Sequence, residues 1–214
     1  MNKKALFIGT AMAFGLIFVG ATTLYTNEKI KGSSINKAKI ERASAPFKGD
    51  VNAKVTIVEF FDPACETCRQ FYPLVNRILK KNSGKVKLIK RYAPLHQGSD
   101  QVVKILEAAH LQGKFWPAVA LLYKSQNNWV QHHVAQPKLA LALLDKIRLE
   151  PNKLAIDLDS EVVNATVMQD INDGKMLNVR ATPQFFVNGK PLINFGYEPL
   201  VQMVESAINE SYNE

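Results

Sequence analysis

Cysteine is almost absent from this chain: its 214 residues include two, Cys65 and Cys68. That scarcity excludes a disulfide-stapled scaffold, which needs several pairs, and a four-cysteine zinc site, which needs twice the thiolates. The four histidines (His96, His110, His132 and His133) supply no second ligand pair, although His132 and His133 are adjacent. Also lacking is a basic stripe interleaved with aromatics, the footprint of a nucleic-acid binder. The formal charge of +8 does not replace it, because residues 1–46 hold seven Lys/Arg against two Glu and so carry +5 of the excess. Residues 47–214 form a near-neutral remainder, and no nucleic-acid partner is expected. With 47% hydrophobic residues the chain can bury one core without extra staples.

The two cysteines that are present stand together as Cys65-Glu66-Thr67-Cys68. Before them lies Val55–Phe61, a β-branched and aromatic run that reads as a buried strand, closed by an Asp62-Pro63 turn. After them, Arg69–Lys80 carries apolar residues at helical spacing. The pair therefore sits where a strand hands over to a helix N-terminus. Unpaired backbone N–H groups and the positive end of the helix dipole stabilise a thiolate there. Two cysteines three apart on a first helical turn can also close a disulfide, so this reads as a redox site. Other readings of the pair are core cysteines packed as small hydrophobes, a two-thiolate Cu(I) site, and a structural disulfide, whose loop is too short to constrain the unfolded chain much.

Far along the chain, Val179–Pro191 reads as loop, strand and an Asn188-Gly189 hairpin turn. Here the sequence resembles the thioredoxin superfamily, whose members set a cis-proline loop against a C-x-x-C. Thr182-Pro183 followed by Gln184-Phe185-Phe186-Val187 and Asn188-Gly189 matches that pattern. The closer resemblance is to the DsbA branch, which carries an acid six positions before the first cysteine, as Glu59 stands here, and a helical insertion before the cis-proline. About 115 residues separate Cys68 from Pro183. The match covers most of 51–214. One departure is Glu66-Thr67, where many members have Pro-His.

The resemblance implies an α/β thioredoxin-like domain over 47–214, with a helical insertion at about 99–177 and no cofactor or metal. Val86–Ala93 is expected as a strand parallel to the first. Helices are expected over Asp100–Gln112, Trp116–Ser125, Lys138–Arg148 and Leu158–Asp173, the last stopped by Asp173-Gly174. Tyr197–Ser211 closes the domain as an amphipathic helix. Ahead of it, Lys3-Lys4 and an uncharged stretch to about Tyr25 read as a membrane anchor or signal segment over 1–25. Roughly 20 residues suffice to span a bilayer, and a retained anchor is preferred to cleavage near Val19-Gly20-Ala21. Residues 26–46 read as a polar tether. The domain is then exported to the cell envelope, periplasmic or otherwise extracytoplasmic, where disulfides persist.

A mechanism follows from these residues. Cys65 is the nucleophile, and Cys68, one turn in, is the resolving thiol. Glu59, desolvated in its strand, is the candidate base for Cys68. Lys90 matches a family position that pairs with that acid. Pro183 presents the Thr182 backbone to a substrate chain by β-type pairing. Glu66 and Thr67 tune the couple, the Glu66 charge disfavouring the Cys65 thiolate. The expected potential is therefore less oxidising than about −120 mV and nearer −180 to −230 mV. Expected partners are exported cysteine-containing proteins and a membrane redox protein that recharges the pair. The alternatives are an isomerase or reductase kept reduced by a membrane reductant, which a threonine before the cis-proline resembles, a Cu(I)-handling protein, and a non-catalytic binding domain.

Overall fold

The structure is a computed structural model that describes residues 39–212. The expected membrane or signal segment at 1–25 and most of the tether lie outside the described residues. No helix among the described residues is long and apolar enough to cross a membrane. The end of the expected tether is not a tether. Ile40, Arg42 and Ala45 are buried, and the Pro46 carbonyl accepts a hydrogen bond from Lys90 N at 2.9 Å. Apolar Ile40 and Ala45, spaced among polar residues, pack on the sheet with Val58, Phe60 and Ile89.

A five-stranded mixed sheet organises the domain in the order β1 (Phe47–Gly49), β3 (Val86–Tyr92), β2 (Val55–Phe61), β6 (Gln184–Val187), β7 (Lys190–Pro191). Central β2 runs parallel to β3 and antiparallel to β6. All seven of its residues are buried, Thr56 and Glu59 included, in a mostly apolar strand covered on both faces. Short β1 escaped the sequence reading because three exposed residues give no periodicity.

Side chains alternate across the sheet, and this decides where the chemistry goes. Val55 and Ile57 pack under helices α1 (Glu66–Lys81) and α7 (Tyr197–Tyr212). Phe61, two residues beyond Glu59, packs with Cys65 and Cys68. Val58 and Phe60 face the other way, toward Ile40, Val179 and Phe186. Glu59 therefore shares the face that carries the cysteine helix. The Asn188-Gly189 turn joins β6 to β7 with both residues at positive φ, 46° and 80°, the geometry of a type I′ hairpin.

The insertion is helical as expected but is divided differently. It comprises α2 (Ser99–Leu111), α3 (Phe115–Lys124), the hairpin β4 (Val130–Gln131) and β5 (Val134–Ala135), α4 (Pro137–Leu143), α5 (Pro151–Leu158) and α6 (Glu161–Met176). Lys138–Arg148 is not one helix, since a 3₁₀ turn over Leu144–Ile147 ends it at Arg148 with φ 55°. Leu158–Asp173 is likewise two elements. The Ser160 hydroxyl accepts from Val163 N at 3.2 Å and caps a new helix. Helix α5 was missed, although Glu150-Pro151 announces it, with a carboxylate at the cap and proline at the first helical position. Gly174 does not stop α6. It lies within the helix beside the Phe60 ring, where a Cβ would meet only ordinary contacts at 3.6 Å, and the chain leaves the helix at Asn178 with φ 59°.

Candidate redox site

Cys65 is the N-cap residue of α1, with φ −73° and ψ 122°, and Cys68 lies within the first turn. Both are free thiols. Cys65 is 7% exposed and Cys68 is fully buried. The Thr182–Pro183 peptide is cis, and Cys65 Sγ lies 3.2 Å from the Thr182 carbonyl oxygen. The structure thus brings together Cys65, Cys68 and the Thr182-Pro183 loop, 117 residues away from Cys65 in sequence.

The two thiols are set far apart in acidity. Hydrogen bonds from the Cys68 thiol, the Thr182 side chain and the Cys68 and Thr67 backbones outweigh burial and bring Cys65 from 9.0 down to about 5. Burial first, then the Cys65 hydrogen bond and the negative charges of Glu59 and Cys65, push Cys68 well above its usual range. At neutral pH Cys65 is a thiolate and Cys68 keeps the proton they share. Thr67 contributes its amide, while the Glu66 side chain is exposed.

Glu59 and Lys90 meet beneath Cys68. They are paired residues in the parallel β2–β3 register, so adjacent strands place them side by side. Lys90 Nζ lies 2.7 Å from Glu59 Oε2, and neither side chain is exposed. The contact is not directed as a hydrogen bond, for both Glu59 oxygens and Lys90 Nζ are without one among the described residues. Lys90 Nζ sits instead over the rings of Phe61, Tyr123 and Tyr72, at 4.5, 5.7 and 5.9 Å, where aromatic faces attract a cation. Burial raises the Glu59 pKa above 4.5, and the Lys90 charge opposes it without reversing it. A carboxyl whose proton affinity is raised, beside a buried thiol, is equipped to take up and return a proton.

Three residues that the sequence reading did not single out complete the site. Asp62 is a fully buried hub. Its Oδ1 accepts from Ala64 N at 2.8 Å and from the Ser99 hydroxyl, and its Oδ2 accepts from Leu95 N at 2.7 Å and His96 N at 2.8 Å. It pins the loop before Cys65 to the loop after β3. Gln126, on a 3₁₀ turn after α3, donates through Nε2 to the carbonyls of Pro63 at 2.9 Å and Cys65 at 3.1 Å. Tyr123, on α3, packs edge-on against Tyr72 at 5.3 Å. The Asp62-Pro63 turn was a visible signal for the first. No local pattern marks Gln126 or Tyr123, which reach the site only through the fold. Of the histidines, His96 reaches Asp62 Oδ2 through Nδ1 at 2.8 Å, His132 and His133 form the β4–β5 turn at φ 50° and 64°, and the described residues hold no group of three or more metal-ligating side chains.

Known proteins resemble this chain in sequence and in fold. A thioredoxin family model matches residues 41–206. Disulfide bond formation protein D of Bacillus subtilis (strain 168) is 26% identical over 170 residues, covering 76% of this chain and 77% of that protein. The crystal structure of oxidised BdbD from Bacillus subtilis superposes with a TM-score of 0.69 at 27% identity, over 78% of this chain and 94% of that one. The thiol-disulfide exchange protein α-DsbA2 from Wolbachia pipientis shares the fold, with a TM-score of 0.68 at 18% identity over 85% of this chain and 97% of that one. A Na(+)/H(+) antiporter NhaA from Herminiimonas arsenicoxydans is 26% identical over 145 residues, which are 68% of this chain but 22% of the antiporter, so the chain spans about a fifth of that relative's length. By family model and by fold, the chain belongs to the thioredoxin family, with the architecture of its DsbA-type thiol–disulfide oxidoreductases.

Proposed function

We propose that the protein is an exported thiol–disulfide oxidase that introduces disulfides into envelope proteins through Cys65 and Cys68. The observation that carries this reading is the split thiol pair. A Cys65 thiolate held down to about 5 stabilises the dithiol state, and a stable dithiol makes the disulfide a ready oxidant. That acidity lies between the pKa of about 7 in thioredoxin and about 3.5 in DsbA. The Cys65 thiolate arises although Glu66 stands next to it, because Cys68, Thr182 and two backbone amides set the balance.

In the forward reaction a substrate thiolate attacks Cys65 Sγ of the Cys65–Cys68 disulfide. The S–S bond breaks, Cys68 leaves with the electron pair, and Glu59 supplies the proton that Cys68 retains. A second substrate thiolate then attacks the substrate sulfur of the mixed disulfide. Cys65 departs as a stable thiolate, and the substrate gains a disulfide. Thr182, beside Pro183, offers its backbone to the substrate strand. Two electrons now rest on the dithiol, and a membrane redox partner that supplies a disulfide removes them. The segment at 1–25 keeps the domain at the membrane near that partner.

The test is oxidative refolding of a reduced substrate protein by the full chain. Wild type accelerates it, Cys65→Ser abolishes it, and Cys68→Ser accumulates substrate linked through Cys65. In intact cells the pair should then be found mostly as disulfide. A pair found mostly as dithiol reverses the direction, to isomerase or reductase.

A further inference from the structure

One side chain of the helical insertion grips the backbone at the redox pair. Gln126 Nε2 donates to the Pro63 carbonyl at 2.9 Å and to the Cys65 carbonyl at 3.1 Å. A single amide nitrogen thus ties together the two carbonyls that flank Ala64, and Gln126 is 1% exposed. Asp62 holds the donors of the same turn. Its Oδ1 accepts from Ala64 N at 2.8 Å, and its carbonyl accepts from Cys65 N at 3.1 Å. The N–H groups before α1 are therefore fixed from within the turn, and the carbonyls from the insertion.

The clamp is itself anchored. Gln126 opens the 3₁₀ turn Gln126–Asn128 after α3, and its carbonyl accepts from Trp129 N at 3.1 Å. Trp129 is fully buried and donates through Nε1 to the Leu122 carbonyl at 2.9 Å, which locks the turn to α3. The next residue reaches α1 as well, since Asn127 Oδ1 accepts from Arg69 Nη1 at 3.4 Å. Arg69 N donates to the Cys65 carbonyl at 3.2 Å. One 3₁₀ turn therefore meets both ends of that first backbone hydrogen bond of α1.

A hold on the cap acts on the sulfur. Cys65 Sγ lies 3.2 Å from the Thr182 carbonyl oxygen, and the Thr67 and Cys68 backbones bond to it from the helix start. Such contacts weaken steeply with misalignment, so a shift of the Cys65 backbone loosens all of them together. The amides favour a thiolate, and Cys65 is a thiolate only in the dithiol. In the disulfide Sγ is uncharged and the covalent bond to Cys68 holds it in place. The clamp is thus worth more to the reduced form than to the oxidised one.

We propose that Gln126 is a positioning residue for the redox couple, through which the insertion sets how strongly the Cys65–Cys68 disulfide oxidises. This rests on the oxidase reading above, in its thiol–disulfide exchange step, and deepens it. In exchange with glutathione the Cys65–Cys68 bond breaks. Its sulfurs gain two electrons and two protons from two glutathione thiols, which join as a disulfide.

That equilibrium, measured on the full-length protein with the thermal midpoints of both redox forms, tests the proposal. Gln126→Met keeps the length of the side chain and removes the donor. The equilibrium constant for reduction by glutathione should fall at least about threefold, as loss of one buried hydrogen bond allows, and tenfold would be about 30 mV. The Cys65 thiolate absorbance should titrate at higher pH than in wild type, and the reduced form should lose more thermal stability than the oxidised one. A glutamine that only supports the fold would lower both midpoints alike and leave the constant in place. Gln126→Asn, whose amide falls short of the two carbonyls, should shift the constant the same way, and it carries the test if Gln126→Met does not fold. A constant within about threefold of wild type, or above it, overturns the positioning role and leaves the oxidase intact. Failure of both variants to fold makes Gln126 a folding residue and overturns the proposal as well. Wild type that does not equilibrate with glutathione overturns both readings.

Discussion

Lys90 and Arg91 are consecutive on β3, fully buried, and point to opposite faces of the same sheet. Arg91 enters a cluster with every visible demand met. Its Nε donates to Asp170 Oδ1 at 2.7 Å, its Nη2 to Asp173 Oδ2 at 2.6 Å and its Nη1 to the Ile40 carbonyl at 2.9 Å. Arg42 joins Asp170 Oδ1 at 2.7 Å, and Tyr92 N donates to Asp170 Oδ2 at 2.9 Å. Lys90 enters a pair held by charge and aromatic faces, with no directed hydrogen bond. A guanidinium presents a fixed fork of donors and cannot be deprotonated, whereas an ammonium is a point charge whose state responds to its surroundings. The saturated cluster ties the segment before β1 to β3 and α6 as scaffold. The unsaturated pair, one residue away, sits under the reacting sulfurs, where a proton has to move.

Breaking the saturated side should have the largest effect on stability. Asp170→Ala leaves Arg42 and Arg91 buried without their shared carboxylate, and losing one partner of such a network costs about 3–5 kcal/mol. Urea denaturation should show that loss, while the Cys65 titration of the folded fraction stays put. Deleting both charges on the other side should do the reverse. Glu59→Gln/Lys90→Met removes the desolvation cost together with the pair, so stability should stay level or rise by about 1–4 kcal/mol. Disulfide closure should slow in the same variant. If both variants lose comparable stability, the two clusters do not differ as described.

A pH series separates the two thiols from the carboxyl. Cys65 falls from 9.0 when unfolded to about 5 when folded, so in reduced protein the unfolded chain binds more protons across that window. Stability of the reduced form should therefore rise with pH from about 5 to 9 and be lost as pH falls through about 5. Glu59 has the opposite sign, since its folded pKa is raised above 4.5 and its contribution declines as pH rises through the folded value. Glu59 titrates in both redox forms, and only its smallest upward push, from the Cys65 charge, is confined to the reduced one. Subtracting the oxidised curve from the reduced curve leaves the thiols and that coupling, and Cys68, raised above 9.0, acts only beyond that pH. A difference curve that is flat between about 5 and 9 would falsify the thiolate assignment.

The parts legible in the sequence were those written locally. Cys65, Cys68, the apolar strand with its one acid and the aromatic run after Thr182-Pro183 each sit inside a short pattern with one structural meaning. Lys90 needed the family resemblance, because a lysine in an apolar strand does not announce which face it takes. Tyr123 and Gln126 could not be read at all. Each is an ordinary residue near the end of an ordinary helix, and 61 positions separate Gln126 from the Cys65 carbonyl it holds. The same holds for Asp170 and Asp173, which look like solvent-facing acids until α6 is laid on β3. The start of α5 was readable from Glu150-Pro151 and the break before α6 from Ser160, but continuous apolar spacing across Leu158 outweighed those caps.

The smallest expected effect concerns Glu66, which the sequence presents as the residue that tunes the couple. Its carboxylate is exposed at the start of α1, where an acid also favours the positive end of the helix. Charges in water interact weakly, and each unit of pKa is worth about 1.4 kcal/mol. Glu66→Gln should thus lower the Cys65 pKa by about half a unit or less, and raise the potential in step, since the reduced state gains what the thiolate gains. The buried contacts are larger levers on the same sulfur. Thr182→Val removes the hydroxyl that helps hold the thiolate, and it should raise the Cys65 pKa by more than Glu66→Gln lowers it. Thiolate absorbance and the glutathione equilibrium constant, measured together on both variants, decide the ranking. If Glu66→Gln moves the two quantities further than Thr182→Val, surface charge governs this couple rather than the enclosed contacts at the cap of α1.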